Sequence, residues 1–280
     1  MRLTQEQLAA YDQNGFLFLP DYFSRREVEI LKGEAARIFA EAAPHVVREK
    51  EGRTVRSAYG SHATSEPFGR LARHPRFVEP AMQVLGSEVY VYQSKINAKA
   101  AFSGDLWEWH QDFVFWHKED GMPAPRALSA TLFLEEVSEF NGPLFLIPGS
   151  HREGMIDLPL HAELAAGAAP SHVAYQSSPA WISNLTADLK YALRKEAVAE
   201  LVGRYGITAP KGPAGSVLFF HSNLVHGSPN NISPFDRLLA IITFNSVENA
   251  PGRVPNPRPE FLVSRDATPV KPLHDSALLM

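Results

Sequence analysis

The chain has 280 residues, 45% of them hydrophobic and 21% charged, the proportions of an ordinary globular protein. A formal net charge of −4 gives no basic footprint for nucleic acid and no polybasic cluster for a membrane surface; pairs such as Arg25-Arg26 read as solvated helix faces. The absence of cysteine excludes disulfides, thiolate metal sites and a cysteine nucleophile.

The segment Met1 to Leu8 lacks the apolar core of a signal peptide. The longest apolar run, Leu238 to Ile242, is far too short to cross a bilayer, so a cytoplasmic protein is expected. Thr4 with Gln7, and Ser24 with Glu27, have capping-box spacing and predict helices over residues 4–13 and 24–42, with a strand-like Phe16–Leu19 between them. A third helix fits Pro75 to Leu85 and stops at Gly86. Residues 1–88 thus read as a helical support.

From residue 89 the pattern turns to strands. Val89–Asn97, Ala130–Leu134, Leu144–Ile147, Ser216–Phe220 and Leu238–Val247 are rich in β-branched and aromatic residues. Turn signals such as Asn141-Gly142-Pro143 and Pro148-Gly149-Ser150 separate them. This predicts one mainly β domain over 1–280, an antiparallel sandwich or barrel spanning 89–250 with flanking helices. Residues 151–212 interrupt the strands and carry one helical pattern, Thr186 to Arg204, with Leu189, Leu193, Ala197 and Leu201 four apart. So long an insertion reads as a lid or binding element. The Pro-rich stretch 251–280 reads as an extended surface tail.

Three residues carry the chemistry. His110 and Asp112 stand two apart beside β-rich sequence, where i and i+2 share a face, and His226 follows the apolar stretch Val217–Phe220. Two histidines and a carboxylate fill one face of octahedral iron(II) and leave three positions for a 2-oxo acid and dioxygen. Arg237, at the head of the buried run Leu238–Ile242, offers a bidentate partner for a distal carboxylate; a surface arginine beside Asp236 is the alternative. His221 rivals His226 as a ligand. The aromatic residues Trp107, Phe113, Phe115 and Trp116 offer a cage for a cationic or zwitterionic substrate.

The run Trp109 to Pro123 resembles the signature of ectoine hydroxylases in the phytanoyl-CoA dioxygenase superfamily. Gln93–Asn97, Arg126–Ser129, Asn141–Pro143, Ile147–His151 and Ser246–Asn249 are similar to further blocks of that family, in order. The resemblance implies a double-stranded β-helix, a cupin-like jelly-roll core, using Fe(II), 2-oxoglutarate and O2. It implies His110, Asp112 and His226 as iron ligands, and Arg237 with Ser228 on the distal carboxylate. Asn97, Trp107 and Ser129 fall where the family lines the cosubstrate pocket; Gln93, Trp116 and Phe220 fall where it lines the substrate pocket. Ectoine hydroxylases carry Ser, Glu and Thr at Gln111, Val114 and Phe115, Arg at Lys95, and Asn and Phe at Leu239 and Ile241. The carboxylate at Asp112 favours hydroxylation over halogenation.

The expected activity is hydroxylation of a C–H bond in a small amino-acid-like or zwitterionic molecule, by a monomer or homodimer. Ectoine 5-hydroxylation proper, or a non-catalytic metal- and 2-oxoglutarate-binding protein, are the alternatives. A zinc hydrolase lacks the His-Glu-x-x-His spacing.

Overall fold

The computed structural model describes residues 2–161, 181–182, 185, 187 and 189–280. Helix α1 (Gln5–Asn14) opens on the reciprocal Thr4/Gln7 capping box and ends at Gly15, whose φ of 77° is left-handed. A Cβ at Gly15 would lie 2.4 Å from His151 Nδ1, so glycine is required there twice over. Helix α2 (Arg25–Phe39) opens on the Ser24/Glu27 box and buries Val28, Leu31, Ala35 and Ile38 at helical spacing. Two short helices, α3 (Ser61–Thr64) and α4 (Glu66–Ala72), precede α5 (Pro75–Leu85), which has the predicted bounds and stops at left-handed Gly86.

The strands are β1 (Phe16–Leu19), β2 (Val46–Arg48), β3 (Val55–Tyr59), β4 (Val89–Lys99), β5 (Trp107–His110), β6 (Ala127–Phe133), β7 (Phe145–Leu146), β8 (Val217–His221), β9 (His226–Ser228) and β10 (Arg237–Ser246). They form a seven-stranded sheet, β1-β8-β6-β10-β4-β3-β2, and a three-stranded sheet, β5-β9-β7, antiparallel throughout. This is a jelly-roll with flanking helices. Strand alternation divides its core. Ala240, Ile242 and Phe244 of β10 face the helices with Leu31, Phe77 and Phe219, whereas Leu239 and Ile241 pack between the sheets with Phe133, Phe220 and Leu146. The amino-terminal third therefore contributes β1, β2 and β3 to the large sheet as well as helices.

Two further expectations change. The helix in the 151–212 insertion is α7 (Lys195–Tyr205), not Thr186 to Arg204. Leu189 and Leu193 fit its periodicity but serve other surfaces: Leu189 faces the central cavity, and the Leu193 amide donates to Trp109 O at 2.7 Å. Thr186 lies outside the described residues. The tail is largely irregular, yet it does not stay on the surface. Leu262 and Val263 are buried, and Gln93 Nε2 donates to Leu262 O at 2.8 Å. Among the described residues no helix is long and apolar enough to cross a membrane.

Candidate active site

β5 and β9 pair so that His110 stands directly across from His226, ring centroids 4.2 Å apart. Asp112 does not continue β5, as strand alternation would have it. It is the first residue of α6 (Asp112–Asp120), and the chain bends into that helix at extended Gln111. The bend is fastened from both sides. Gln111 Nε2 donates to Gly154 O and Asn223 O, at 2.8 and 2.7 Å, and its Oε1 accepts the Ile156 amide at 2.8 Å. Gln111 is thus a bracket, which accounts for its departure from the ectoine hydroxylase pattern without involving substrate.

The donor set suits a metal. His110 Nδ1 donates to Glu108 O at 2.6 Å and His226 Nδ1 to Leu224 O at 2.9 Å. A carbonyl can only accept, so both protons sit on Nδ1 and both Nε2 lone pairs are free. One ligand atom from each of His110, Asp112 and His226 lies within 4.8 Å of the other two. Burial first, then the charge of His226, pulls His110 down to about 3. Burial pushes Asp112 upward, but Lys95, His226, His110 and Arg258 outweigh it and hold the carboxyl below its ordinary value. Neutral imidazoles beside an ionised carboxylate are what divalent cation binding requires. Asp112 Oδ2 is buried with no hydrogen-bond partner, an unsatisfied ionised oxygen that a cation would satisfy. The residues fit ferrous iron.

Arg237 is only 1% exposed, which excludes the surface alternative. Nη1 donates to Gly142 O at 2.8 Å and reaches Ser228 Oγ at 3.4 Å, while Nε has no partner. No carboxylate pairs with it among the described residues. Burial, then the charge of Arg56, lowers the guanidinium to about 9. A buried cation without an anion is a site for one.

Arg237 and the triad line one cavity, together with the predicted Asn97, Trp107, Gln93, Lys95, Trp116 and Phe220. Lys95 Nζ lies 3.9 Å from Asp112 Oδ1. Ser228 is buried beside Arg237 and donates to Gly142 O at 2.9 Å. Ser129 does not line the cavity: its hydroxyl lies 3.1 Å from Thr243 Oγ1, between β6 and β10. Phe113 is also withdrawn, packed against His117, so of the four expected aromatic residues Trp107, Phe115 and Trp116 line the cavity. His221 takes no part in the triad; its Nδ1 accepts the Asn223 amide at 3.0 Å and its ring lies against His151.

Sequence reading missed Tyr59, Leu144, Leu185, Leu189 and Arg258 on the cavity wall. Arg258 is the notable one. It is 5% exposed and grips Asp120 with two bonds, at 2.8 and 2.5 Å, while Tyr92 O–H donates to the same carboxylate. Its only signal was a charge amid Pro255, Pro257 and Pro259, followed by apolar Leu262-Val263.

The phytanoyl-CoA dioxygenase (PhyH) family model matches residues 11–239. The chain is 41% identical over 263 residues to L-proline trans-4-hydroxylase of Streptomyces griseoviridis, covering 94% of this chain and 93% of that protein. It is 40% identical over 272 residues to an ectoine dioxygenase of Nocardia farcinica, covering 95% and 86%. Among solved structures it is similar to EctD from S. alaskensis with 2-oxoglutarate and 5-hydroxyectoine, at TM-score 0.80 and 35% identity, over 97% of this chain and 87% of that one. With the triad, the buried arginine and the jelly-roll in agreement with these matches, the chain belongs to the phytanoyl-CoA dioxygenase family.

Proposed function

We propose that this protein is an Fe(II)- and 2-oxoglutarate-dependent dioxygenase that hydroxylates a C–H bond of a small amino-acid-like or zwitterionic molecule. The observation that carries the reading is a single cavity holding the convergent His110, Asp112 and His226 and, at its wall, the buried unpaired Arg237. Those three residues would hold iron. When bound, iron supplies the redox chemistry by which dioxygen and 2-oxoglutarate become succinate and carbon dioxide and one oxygen atom reaches the substrate.

The protein's own residues position and exclude. Arg237 binds the distal carboxylate of 2-oxoglutarate, with Ser228 holding the Gly142 carbonyl beside it. The unpartnered Trp107 Nε1–H offers a further donor to the cosubstrate, and Asn97 a polar side chain beside it. On the substrate side, Lys95 supplies positive charge, Arg258 a guanidinium edge whose charge is met by Asp120, Gln93 a side chain anchored by the tail, and Phe115, Trp116, Phe220 and Ile241 an apolar wall. A cation next to an apolar surface suits a compact molecule with a carboxylate and a hydrocarbon ring. Leu185 and Leu189 close the wall from the 151–212 insertion, which acts as the lid that keeps water from the reacting centre. A cytoplasmic enzyme working as a monomer or homodimer completes the reading.

L-Proline is favoured over ectoine by the apolar Phe115, which lines the cavity where the ectoine hydroxylase pattern has Thr, with Ile241 changing the shape of the same wall where that pattern has Phe. The test is substrate-dependent succinate formation by iron-reconstituted protein offered L-proline, other cyclic imino acids and ectoine. Binding of 2-oxoglutarate without succinate from any of these would favour the non-catalytic alternative.

A further inference from the structure

Lys99 ends β4 and stands directly across from Arg237, the first residue of β10. It is 1% exposed, and its stem runs against the turn at Gly142, where a Cβ would lie 2.8 Å from Lys99 Cδ. The carbonyl of the same glycine accepts from Arg237 and from Ser228. The head of the lysine lies past the last rung of the β5–β9 ladder, Trp107 against Ser228. There Nζ donates to Asp105 O and, at 2.7 Å, to Pro229 O. Lys99 does not line the cavity itself; its amine sits behind the wall on which the Arg237 guanidinium rests.

The charges around this amine are Arg237 on β10, Arg56 on β3, Glu49 just after β2 and Asp105 just before β5. Both carboxylates are engaged elsewhere, Glu49 with Arg56 at 3.2 Å and Asp105 with Lys50 at 3.4 Å. Nearby, Lys32 of α2 pairs with Glu135 at 2.8 Å, and Asp236 accepts the Ala101 amide at 2.7 Å. Two acceptors are what a neutral amine, with its two N–H bonds, can satisfy. The third N–H of an ammonium has no acceptor among the described residues. Burial, then the charges of Arg237 and Arg56, lower Lys99 to about 6, which leaves it mostly neutral at about pH 7.

We infer that Lys99 is a second cation of the cosubstrate pocket, taking up a proton when the distal carboxylate of 2-oxoglutarate settles on Arg237; the inference rests on the function proposed above. The incoming carboxylate offsets the guanidinium charge that opposes protonation of Nζ, and it adds an attraction of its own in a buried setting. The proton comes from solvent and occupies the lone pair of the amine. By linkage, the protonated form binds the dicarboxylate more tightly. Affinity is therefore greatest below about pH 6 and falls as pH rises above it, until the bound form also loses its proton. Arg237 is charged throughout this range and fixes the orientation of the carboxylate, while Lys99, which touches no part of it, sets the pH dependence.

The test uses full-length protein saturated with Mn(II) in place of iron to prevent turnover. Calorimetric titration of 2-oxoglutarate in buffers of different ionisation enthalpy counts the protons taken up. At about pH 7 the wild type takes up about 0.5–0.9 proton per 2-oxoglutarate, and Kd rises about tenfold or more between about pH 6 and pH 8. With 2-oxovalerate, which keeps the chelating end and lacks the distal carboxylate, uptake stays below about 0.2 proton. Lys99→Gln keeps two N–H donors for Asp105 O and Pro229 O but cannot titrate. In it uptake of protons with 2-oxoglutarate falls below about 0.2, and Kd varies by less than about threefold over the same pH range. Lys99→Met serves if that variant does not fold. A lysine with a structural role alone would lower affinity equally at all pH values and leave the proton count unchanged. No uptake by the wild type, equal uptake with 2-oxovalerate, or wild-type uptake in a folded variant overturns the inference. A wild type that binds no 2-oxoglutarate overturns the proposed function itself, and this inference with it.

Discussion

Replacing Arg237 with Met should move stability and cosubstrate affinity in opposite directions. The folded state holds this guanidinium near 9 because burial and Arg56 disfavour its charge. The unfolded chain has arginine's ordinary, far higher value, so the folded state binds protons less readily. The penalty is therefore complete at neutral pH and recedes only as pH rises above about 9. The shift corresponds to about 5 kcal/mol as a ceiling. Arginine returns part of that through its bonds to Gly142 O and Ser228 Oγ, about 1 kcal/mol each. Methionine keeps the apolar stem, and Gly142 O retains the Ser228 hydroxyl as donor, so no carbonyl is stranded. The net expectation is stabilisation by about 1–3 kcal/mol, a Tm rise of roughly 2–6 °C for a chain of this size. Removing the partner of a desolvated carboxylate costs about 3–5 kcal/mol of binding, so the Kd for 2-oxoglutarate should rise ~10²–10⁴-fold. Scanning calorimetry of the cosubstrate-free protein and titration of 2-oxoglutarate with Mn(II) measure both. A lower Tm together with an unchanged Kd would refute the view that Arg237 is an unpaired cation kept for an anion.

Asp112→Ala removes one of three ligands; iron content after anaerobic reconstitution should fall from near one per chain to under about a tenth, and succinate release should cease. Arg258→Gln leaves Asp120 buried with Tyr92 alone and should lower stability by about 3 kcal/mol in urea, with Asp120→Asn in the same chain restoring much of the loss; equal instability in single and double variants would count against the pair. His62, lowered to about 4 by burial, is neutral in the fold, so its contribution is intact above pH 6.5 and is lost as pH falls from 6.5 to 4. Solvent reaches part of the ring, which limits the effect to about 1–2 kcal/mol; His62→Asn should therefore flatten the acid limb of the Tm-against-pH curve.

Local rules made the helices with reciprocal caps legible, and β-rich composition made the central strands legible, because in both cases neighbours in sequence decide the conformation. The triad was legible for a different reason: few residue types serve iron, and Asp112 and His226 are a carboxylate and an imidazole wherever the backbone puts them. The backbone departs from the local rule. Strand alternation predicts His110 and Asp112 on one face of a continuing strand, whereas Gln111 bends the chain into α6 through bonds to Gly154, Ile156 and Asn223, residues about 40 to over 110 positions away. Arg258 and Leu185 were invisible for the same reason. Each reaches the cavity through partners distant in sequence, Asp120 for the one and Arg56 for the other.

That division bears on how such a site can change its substrate. In the proposed reading iron and cosubstrate would be held by the paired strands β5 and β9, the α6 junction and the head of β10, where a shift of backbone would disturb His110, Asp112 and His226 together. The substrate wall is assembled from Phe115 on α6, Ile241 on β10, Leu185 and Leu189 on the insertion and Arg258 on the tail. Volume and polarity at the four apolar positions can change one at a time while His110, Asp112, His226 and Arg237 keep their places, since none of the four hydrogen-bonds through its side chain to a ligand, whereas Arg258 is tied to Asp120 on α6. The departures at Phe115 and Ile241 are of this kind. Exchanging them for Thr and Phe, the residues of the ectoine hydroxylase pattern, should alter which substrate releases succinate while leaving iron content and the affinity for 2-oxoglutarate within about threefold of the wild type.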